Sequence, residues 1–227
     1  MELLFLGTGA ADWDITKPSR DRNFRRFASL LCNRDLLIDP GPCIYEFAET
    51  FGCPELYNEV AFILVTHRHA DHFCEATLNR LGRDKLIAFD GPGCKQVGGY
   101  TVTALAANHA TAEAPLHYLI ADAEGKCFFY GCDGAWLLFP EYQAIMEQRP
   151  DLVILDGTIG DADGDYRIFE HNNLRMVEEM QKTLAPYCSR FMITHMARTL
   201  HTSHEQLEER LRGSGIVPAY DHMCVRI

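Results

Sequence analysis

The sequence predicts an α/β fold assembled from many short strands. Apolar, β-branched runs such as Val60-Ala61-Phe62-Ile63-Leu64-Val65, Asp151 to Leu155 and Arg190 to Thr194 recur along the chain. Runs of this length, bounded by turn residues, read as strands buried on both faces. Helical stretches, Glu141 to Gln148 and Leu174 to Leu184 among them, alternate with these runs. The 227 residues are 47% hydrophobic and 23% charged, an ordinary globular composition with ample length for a substantial core.

In chain order, Glu2 to Leu6 reads as a strand entering the glycine loop Gly7-Thr8-Gly9, which lets backbone approach a site closely. Ala10 to Arg26 is polar and carries Arg20, Arg22, Arg25 and Arg26. This segment reads either as a solvated loop or as a lid whose planar guanidinium forks suit phosphate; in the second reading Arg25 and Arg26 are candidate substrate-binding residues. Ala28 to Cys32 and Leu36 to Asp39, separated by Asn33-Arg34-Asp35, form a hairpin signal. Asp39-Pro40-Gly41-Pro42 then leads into a helix through Phe51. After the Val60 to Val65 strand, the expected elements are a helix over Phe73 to Leu81 and strands at Leu86 to Phe89 and Tyr100 to Ala106. Leu116 to Ala121 and Lys126 to Tyr130 form a second hairpin around Glu124-Gly125. Gly157 to Tyr166, rich in glycine, alanine and aspartate, reads as a mobile loop. Ser203 is a candidate N-cap for a last helix continuing to Arg212, with His201 and His204 near the surface or behind the site. The coarse order suggests two βαβ-like halves, Met1 to about Ala110 and the remainder.

Composition excludes several classes of function. The formal charge of -11 repels polyanions, which argues against long nucleic acid as a substrate. Nine cysteines, an odd number without any Cys-x-x-Cys spacing, fit free thiols in a reducing compartment better than a disulfide framework. No apolar run approaches a membrane-spanning length, and Met1 to Gly7 lacks the basic region of a signal peptide. The expectation is a cytoplasmic protein without a membrane partner, its oligomeric state open and a homodimer the candidate assembly.

The chemistry concentrates in Thr66-His67-Arg68-His69-Ala70-Asp71-His72, directly after the Val60 to Val65 strand. Three imidazoles and a carboxylate crowded together are expensive to fold around unless something binds them. Alternation along an extended chain points His67 and His69 the same way, while Asp71 and His72 at the next turn reach a second point. That is a ligand set for two adjacent metal ions; a single structural zinc would more usually draw on cysteine pairs.

Thr-His-x-His-x-Asp-His after an apolar strand resembles the metal-binding signature of the metallo-β-lactamase superfamily. The resemblance extends over nearly the whole chain and implies one domain, residues 1–227, of two mixed sheets face to face with helices outside, an αββα four-layer sandwich. It further implies that His67, His69 and His109 hold one metal and that Asp71, His72 and His195 hold the other. Asp133 and a hydroxide would bridge them. Zinc suits these imidazole and carboxylate donors, and manganese is the second choice. Asp39 reads equally as a partner orienting a metal-bound histidine or as a turn residue.

His171 in His171-Asn172-Asn173, Thr194-His195-Met196 and Ala219-Tyr220-Asp221-His222-Met223 resemble elements of the branch containing cyclic phosphodiesterases, including phosphoribosyl 1,2-cyclic phosphodiesterase, and tRNA 3′-endonucleases. In that branch a histidine at the place of His171 assists the leaving group from outside the ligand set. His222 departs from the pattern, which expects glycine; it either lines the substrate pocket or competes with His195 for the second metal. Some phosphodiesterases of the superfamily hold a structural zinc near residues 10–26 through closely spaced cysteines; this segment has none, so no such site is expected. No insertion is long or basic enough to clamp tRNA. The expected function is therefore a metal-dependent hydrolase of a small cyclic or nucleotide-like phosphodiester. The alternatives are a thioester or lactone hydrolase, a nuclease of short oligonucleotides or of the tRNA 3′-processing type, and, in a different class, a non-catalytic metal or redox module. Against the last, oxygen-reducing relatives use carboxylate-substituted iron ligands and an attached flavin domain, for which this chain has no room.

Overall fold

A computed structural model describes residues 1–227. Its first sheet contains β1 (Glu2–Gly7), β2 (Ser29–Cys32), β3 (Leu36–Ile38) and β4 (Phe62–Leu64), with β12 (Cys224–Arg226) added beside β1. The second contains β5 (Gly93–Val97), β6 (Tyr100–Ala106), β7 (Leu116–Asp122), β8 (Cys127–Gly131), β9 (Leu152–Asp156), β10 (Phe191–Thr194) and β11 (Ile216–Pro218), neighbours in sequence lying side by side. The helices are α1 (Ile44–Phe51), α2 (Glu75–Leu81), α3 (Phe139–Gln148), α4 (Leu174–Leu184) and α5 (His204–Arg210).

Connection type follows strand direction. The pairs β3/β4, β8/β9, β9/β10 and β10/β11 are parallel, and α1, α3, α4 and α5 respectively cross over between them, since parallel neighbours cannot be joined by a tight turn. The β2–β3 hairpin turns through Asn33 and Arg34, both at positive φ, the twist that matches antiparallel strands.

Alternation along each strand sorts side chains into layers. Leu152 and Ile154 of β9 join Leu3, Phe5, Leu30, Ile38 and Leu64 of the first sheet in the core between the sheets. Val153 and Leu155, pointing the other way, pack under Leu174, Val177, Met180 and Leu184 of α4. Leu37 and Ile63 likewise face Ile44, Phe47 and Leu78 on the opposite outer side. The inner strands of each sheet are thus buried on both faces, which is why they are continuously apolar. The N-terminus of α4 is capped by Asn173, whose side chain accepts from the Met176 amide at 2.9 Å; such a cap is worth about 1 kcal/mol. The αββα architecture agrees with the expectation.

Some expected elements differ. Leu86 to Phe89 is not a strand; Leu86 makes one isolated bridge to Ile63, and the edge strand is β5, whose first residue is the expected turn residue Gly93. An edge strand needs no buried face, so β5 is almost wholly exposed and lacks the apolar pattern that marks the others. The two halves do not divide at Ala110, because β5 and β6 belong to the second sheet and β12 returns to the first. Of the expected mobile loop, Gly157 to Gly160 is buried; it is held by the Gly157 amide on the Thr194 carbonyl at 2.9 Å and the Leu174 amide on the Gly160 carbonyl at 2.8 Å. No helix is long and apolar enough to cross a membrane.

Candidate metal centre

The histidine and aspartate side chains converge where strands of both sheets end. Thr66 to His72 follows β4, His109 follows β6, Asp133 follows β8, Asp156 ends β9 and His195 follows β10. Asp39, Asp133 and His195 all have φ near +60°. Non-glycine residues rarely adopt that conformation, and here it turns each side chain sharply off its strand. Gly41 packs against the motif so closely that a Cβ would stand 2.3 Å from the Asp71 carbonyl oxygen.

Two ligand groups share Asp133. In one, His67 Nε2 lies 3.2 Å from Asp133 Oδ2, and His109 Nε2 lies 3.2 Å from His69 Nδ1 and 3.6 Å from the same Asp133 oxygen. In the other, His72 Nε2 stands 3.2 Å from His195 Nε2, 3.3 Å from Asp71 Oδ2 and 3.2 Å from Asp133 Oδ2. One carboxylate oxygen of Asp133 thus faces both groups. The other, Oδ1, lies 2.9 Å from His171 Nδ1.

The outward nitrogens explain how the inward ones are aimed. His72 Nδ1 lies 3.0 Å from Asp39 Oδ2, and Asp39 also accepts from the Thr66 amide at 2.7 Å. Asp39 therefore sits behind the site as an orienting partner. His195 Nδ1 is 2.8 Å from the Thr158 hydroxyl and 3.3 Å from Asp156 Oδ2. His109 Nδ1 is 3.1 Å from Glu170 Oε2, and His67 Nδ1 is 3.1 Å from the Thr66 hydroxyl. With its outward N–H donated to a carboxylate, an imidazole presents a lone pair on its inner nitrogen, as in the usual support of metal-bound histidines.

The residues fit divalent cations. His67 Nε2 is buried without a hydrogen-bond partner, a costly condition unless a further group binds there. Ligand atoms around one tetrahedral zinc stand about 3.3–3.6 Å apart given its usual bond lengths, close to the 3.2–3.6 Å separations here. Without cations the cluster is electrostatically divided. Burial pushes the His67 imidazole down to about 4. Burial opposes the charged forms of His195 and Asp133 as well, but their proximity raises His195 to about 9 and holds Asp133 well below the usual carboxylate range.

His171 completes the cavity. Its Nδ1 lies 3.2 Å from Asp156 Oδ2, and Asp156 also accepts from the amides of Thr158 and Asn172, both at 2.9 Å. His171 also falls within ligand-like spacing of Asp133, Asp156 and His195. Asp156 and Thr158 had no assigned role in the sequence, although an aspartate ending a buried strand is itself a signal. Asp12, Thr111 and Arg167 also line the cavity, and nothing local in the sequence marked them.

Three candidates lie elsewhere. His222 is exposed and stacks on Phe51 with ring centroids 4.3 Å apart, outside both ligand groups. Arg25 is buried, donating to the Thr8 hydroxyl at 2.8 Å and the Ala219 carbonyl at 2.7 Å. Arg26 is paired with Glu46 at 2.6 Å and Asp221 at 3.2 Å. Both forks are committed to tying the N-terminal segment to the Ala219 to Met223 segment, which corrects their candidate role as substrate ligands. His204 is likewise buried, its ring nitrogens 2.7 Å from Arg22 and 3.1 Å from Arg25, and not at the surface.

No protein-family model and no curated protein matches the chain. Solved structures do. A diphosphatase of the PhnP family is 16% identical, with a TM-score of 0.74 over 99% of this chain and 96% of that one. The metallo-β-lactamase fold protein YhfI from Bacillus subtilis is 17% identical, with a TM-score of 0.73 over 99% and 98%. The short form of human tRNase Z is 17% identical, with a TM-score of 0.66 over 100% and 99%. With two packed sheets, outer helices and a match along its whole length, this chain has the metallo-β-lactamase fold.

Proposed function

We propose that the protein is a dinuclear-metal-dependent hydrolase acting on a small phosphodiester. One observation carries this reading: five imidazoles and two carboxylates converge on a single cluster, of which His69, Asp71, His109, Asp133 and His195 line a cavity together with His171. His67, His69 and His109 would hold one cation, Asp71, His72 and His195 the other, and Asp133 both. Bound divalent cations, zinc first by donor chemistry and manganese second, supply Lewis acidity and a water of lowered pKa.

The chain's own residues do the rest. Asp39, Asp156, Thr158 and Glu170 hold the ligand rings in place. His171 is anchored through Nδ1 on Asp156, leaving Nε2 without a protein partner, and the ring lines the cavity. A histidine so placed can deliver a proton from Nε2 to the departing oxygen, a contribution typically worth about 10²–10⁴-fold. The likeness in fold to a diphosphatase supports phosphoryl chemistry, and the charge of -11 favours a small substrate over long nucleic acid.

The test is turnover of bis(p-nitrophenyl) phosphate, a 2′,3′-cyclic nucleotide, a thioester and a lactone by the metal-reconstituted protein, with metal content measured in parallel. Two metals per chain with phosphodiester turnover are expected. Turnover of only the thioester or lactone would overturn the substrate class, and failure to bind metal would overturn the centre itself. His171→Ala should retain its metals and lose at least about 100-fold in kcat; unchanged kcat would remove His171 from the reaction.

A further inference from the structure

The residues Asp165 to Phe169 form a short element at the cavity whose side chains the reaction leaves unused. Tyr166–Phe169 is a single 3-10 turn, with the Asp165 carboxylate accepting from the Arg167 amide at 2.9 Å. The turn is fastened to the site: the His171 amide donates to the Arg167 carbonyl at 2.7 Å, and Glu170 Oε2 accepts from the Thr111 hydroxyl at 3.0 Å and lies 3.1 Å from His109 Nδ1. Its position relative to the metal ligands is therefore set by hydrogen bonds on both sides.

Its three large side chains divide the surface between them. Arg167 lines the cavity together with His69, Asp71, Asp133 and His171, and it is the only arginine or lysine to do so. Its Nε and Nη2 are held by Asp165 at 2.8 and 2.6 Å, while Nη1 has no partner. A fork held this way keeps one amino group oriented and free for an anion. Residues three apart on a 3-10 turn eclipse one another, so Tyr166 and Phe169 share a face beside Arg167. They are 79% and 75% exposed, the two most exposed large hydrophobic side chains of the molecule. Single exposed apolar residues need no explanation; a matched aromatic pair next to the cation of a reaction cavity does. The cavity volume is about 260 Å³, just below the roughly 300–1,000 Å³ of usual ligand pockets. A substrate larger than the cavity extends past its lining, and Arg167 is the residue through which this turn joins that lining.

We propose that the Tyr166–Phe169 turn selects the substrate: Arg167 binds an anionic oxygen beside the scissile bond, and Tyr166 and Phe169 stack the flat aromatic group, such as a nucleobase, of the non-reacting part. This rests on the phosphodiesterase reading and adds that a base-bearing ester is preferred to a bare sugar or alkyl ester. Stacking of a base on an aromatic side chain is worth about 1–3 kcal/mol, so at least about fivefold in affinity.

The test compares 2′,3′-cyclic AMP with the base-less ethylene cyclic phosphate, and separately titrates AMP and ribose 5-phosphate into the metal-loaded protein by calorimetry. Wild type should favour the base-bearing member of each pair by at least about fivefold. The double variant Tyr166→Ala/Phe169→Ala, altered only at exposed positions, should lose that ratio, chiefly through KM. Arg167→Ala should weaken AMP and ribose 5-phosphate alike. Equal binding of AMP and ribose 5-phosphate by wild type, or an unchanged ratio in the double variant, would overturn the proposal. Absence of turnover of both esters would overturn the phosphodiesterase reading instead, and the titrations would still decide the role of the turn.

Discussion

Asp39 shows how much one side chain outside the ligand set can do. It follows β3 at positive φ, accepts from the Thr66 amide that opens the histidine motif, and turns His72 by its Nδ1. Removing such a support typically lowers metal affinity about 10–100-fold. We expect Asp39→Ala to lose metal to a competing chelator at correspondingly lower chelator concentration, read by metal analysis; an unchanged affinity would mean that His72 is oriented by other contacts. The His67 to His72 cluster was legible from sequence because its residues are neighbours in the chain. Asp156, Thr158 and Glu170 were not, because each supports a histidine that only folding brings beside it. The arginines show the reverse error. Arg25 and Arg26 suggested an anion site by their chemistry, but burial beside Thr8, Glu46 and Asp221 leaves no free face.

At the scale of elements, α5 is anchored through a buried histidine. Its first residue, His204, lies between Arg22 and Arg25, with Glu208 one turn on at 3.3 Å and the Tyr220 ring edge-on at 5.4 Å. Burial, and then the two guanidiniums, push its pKa from 6.5 down to about 4. Between those values the unfolded chain binds the proton that the folded one refuses. The stability contributed by neutral His204 is thus complete above pH 6.5 and declines as pH falls toward 4. Urea unfolding of the metal-free protein should show the difference between wild type and His204→Gln changing across that window and flat above it. A difference independent of pH would show that His204 titrates normally. The helices and the buried strands could be read from their apolar periodicities, whereas β5, β11 and β12 could not. These three are short or sit at sheet edges, and their pairing comes from the sheet they join.

At the scale of the molecule, the candidate ligands come from both sheets, His67 to His72 after β4 of the first and His109, Asp133 and His195 after strands of the second. Bound cations would therefore tie the two layers together, and anything that binds only the folded state stabilises it by mass action. We expect exhaustive chelation to lower the thermal midpoint and zinc to restore it, with the midpoint rising as free zinc is increased. At 100 times the dissociation constant the gain is about 2.7 kcal/mol per independent site. A midpoint indifferent to chelation would mean that the layers hold together without the centre.

The sequence by itself determined the α/β class, the buried strands and the dense histidine motif, because periodicity and local crowding of ligands are properties of neighbouring residues. Its resemblance to a known superfamily supplied the αββα layers and nominated His109, Asp133, His171 and His195. Tertiary structure alone decided that one oxygen of Asp133 faces both ligand groups and that Asp39, Asp156 and Glu170 stand behind the histidines. It also sent Arg25, Arg26 and His222 away from the cavity and put Arg167 into it. The physical reason is common to all of these: a charged side chain's role depends on which groups desolvate and pair with it. Those groups are brought to it by the packing of strands distant in sequence.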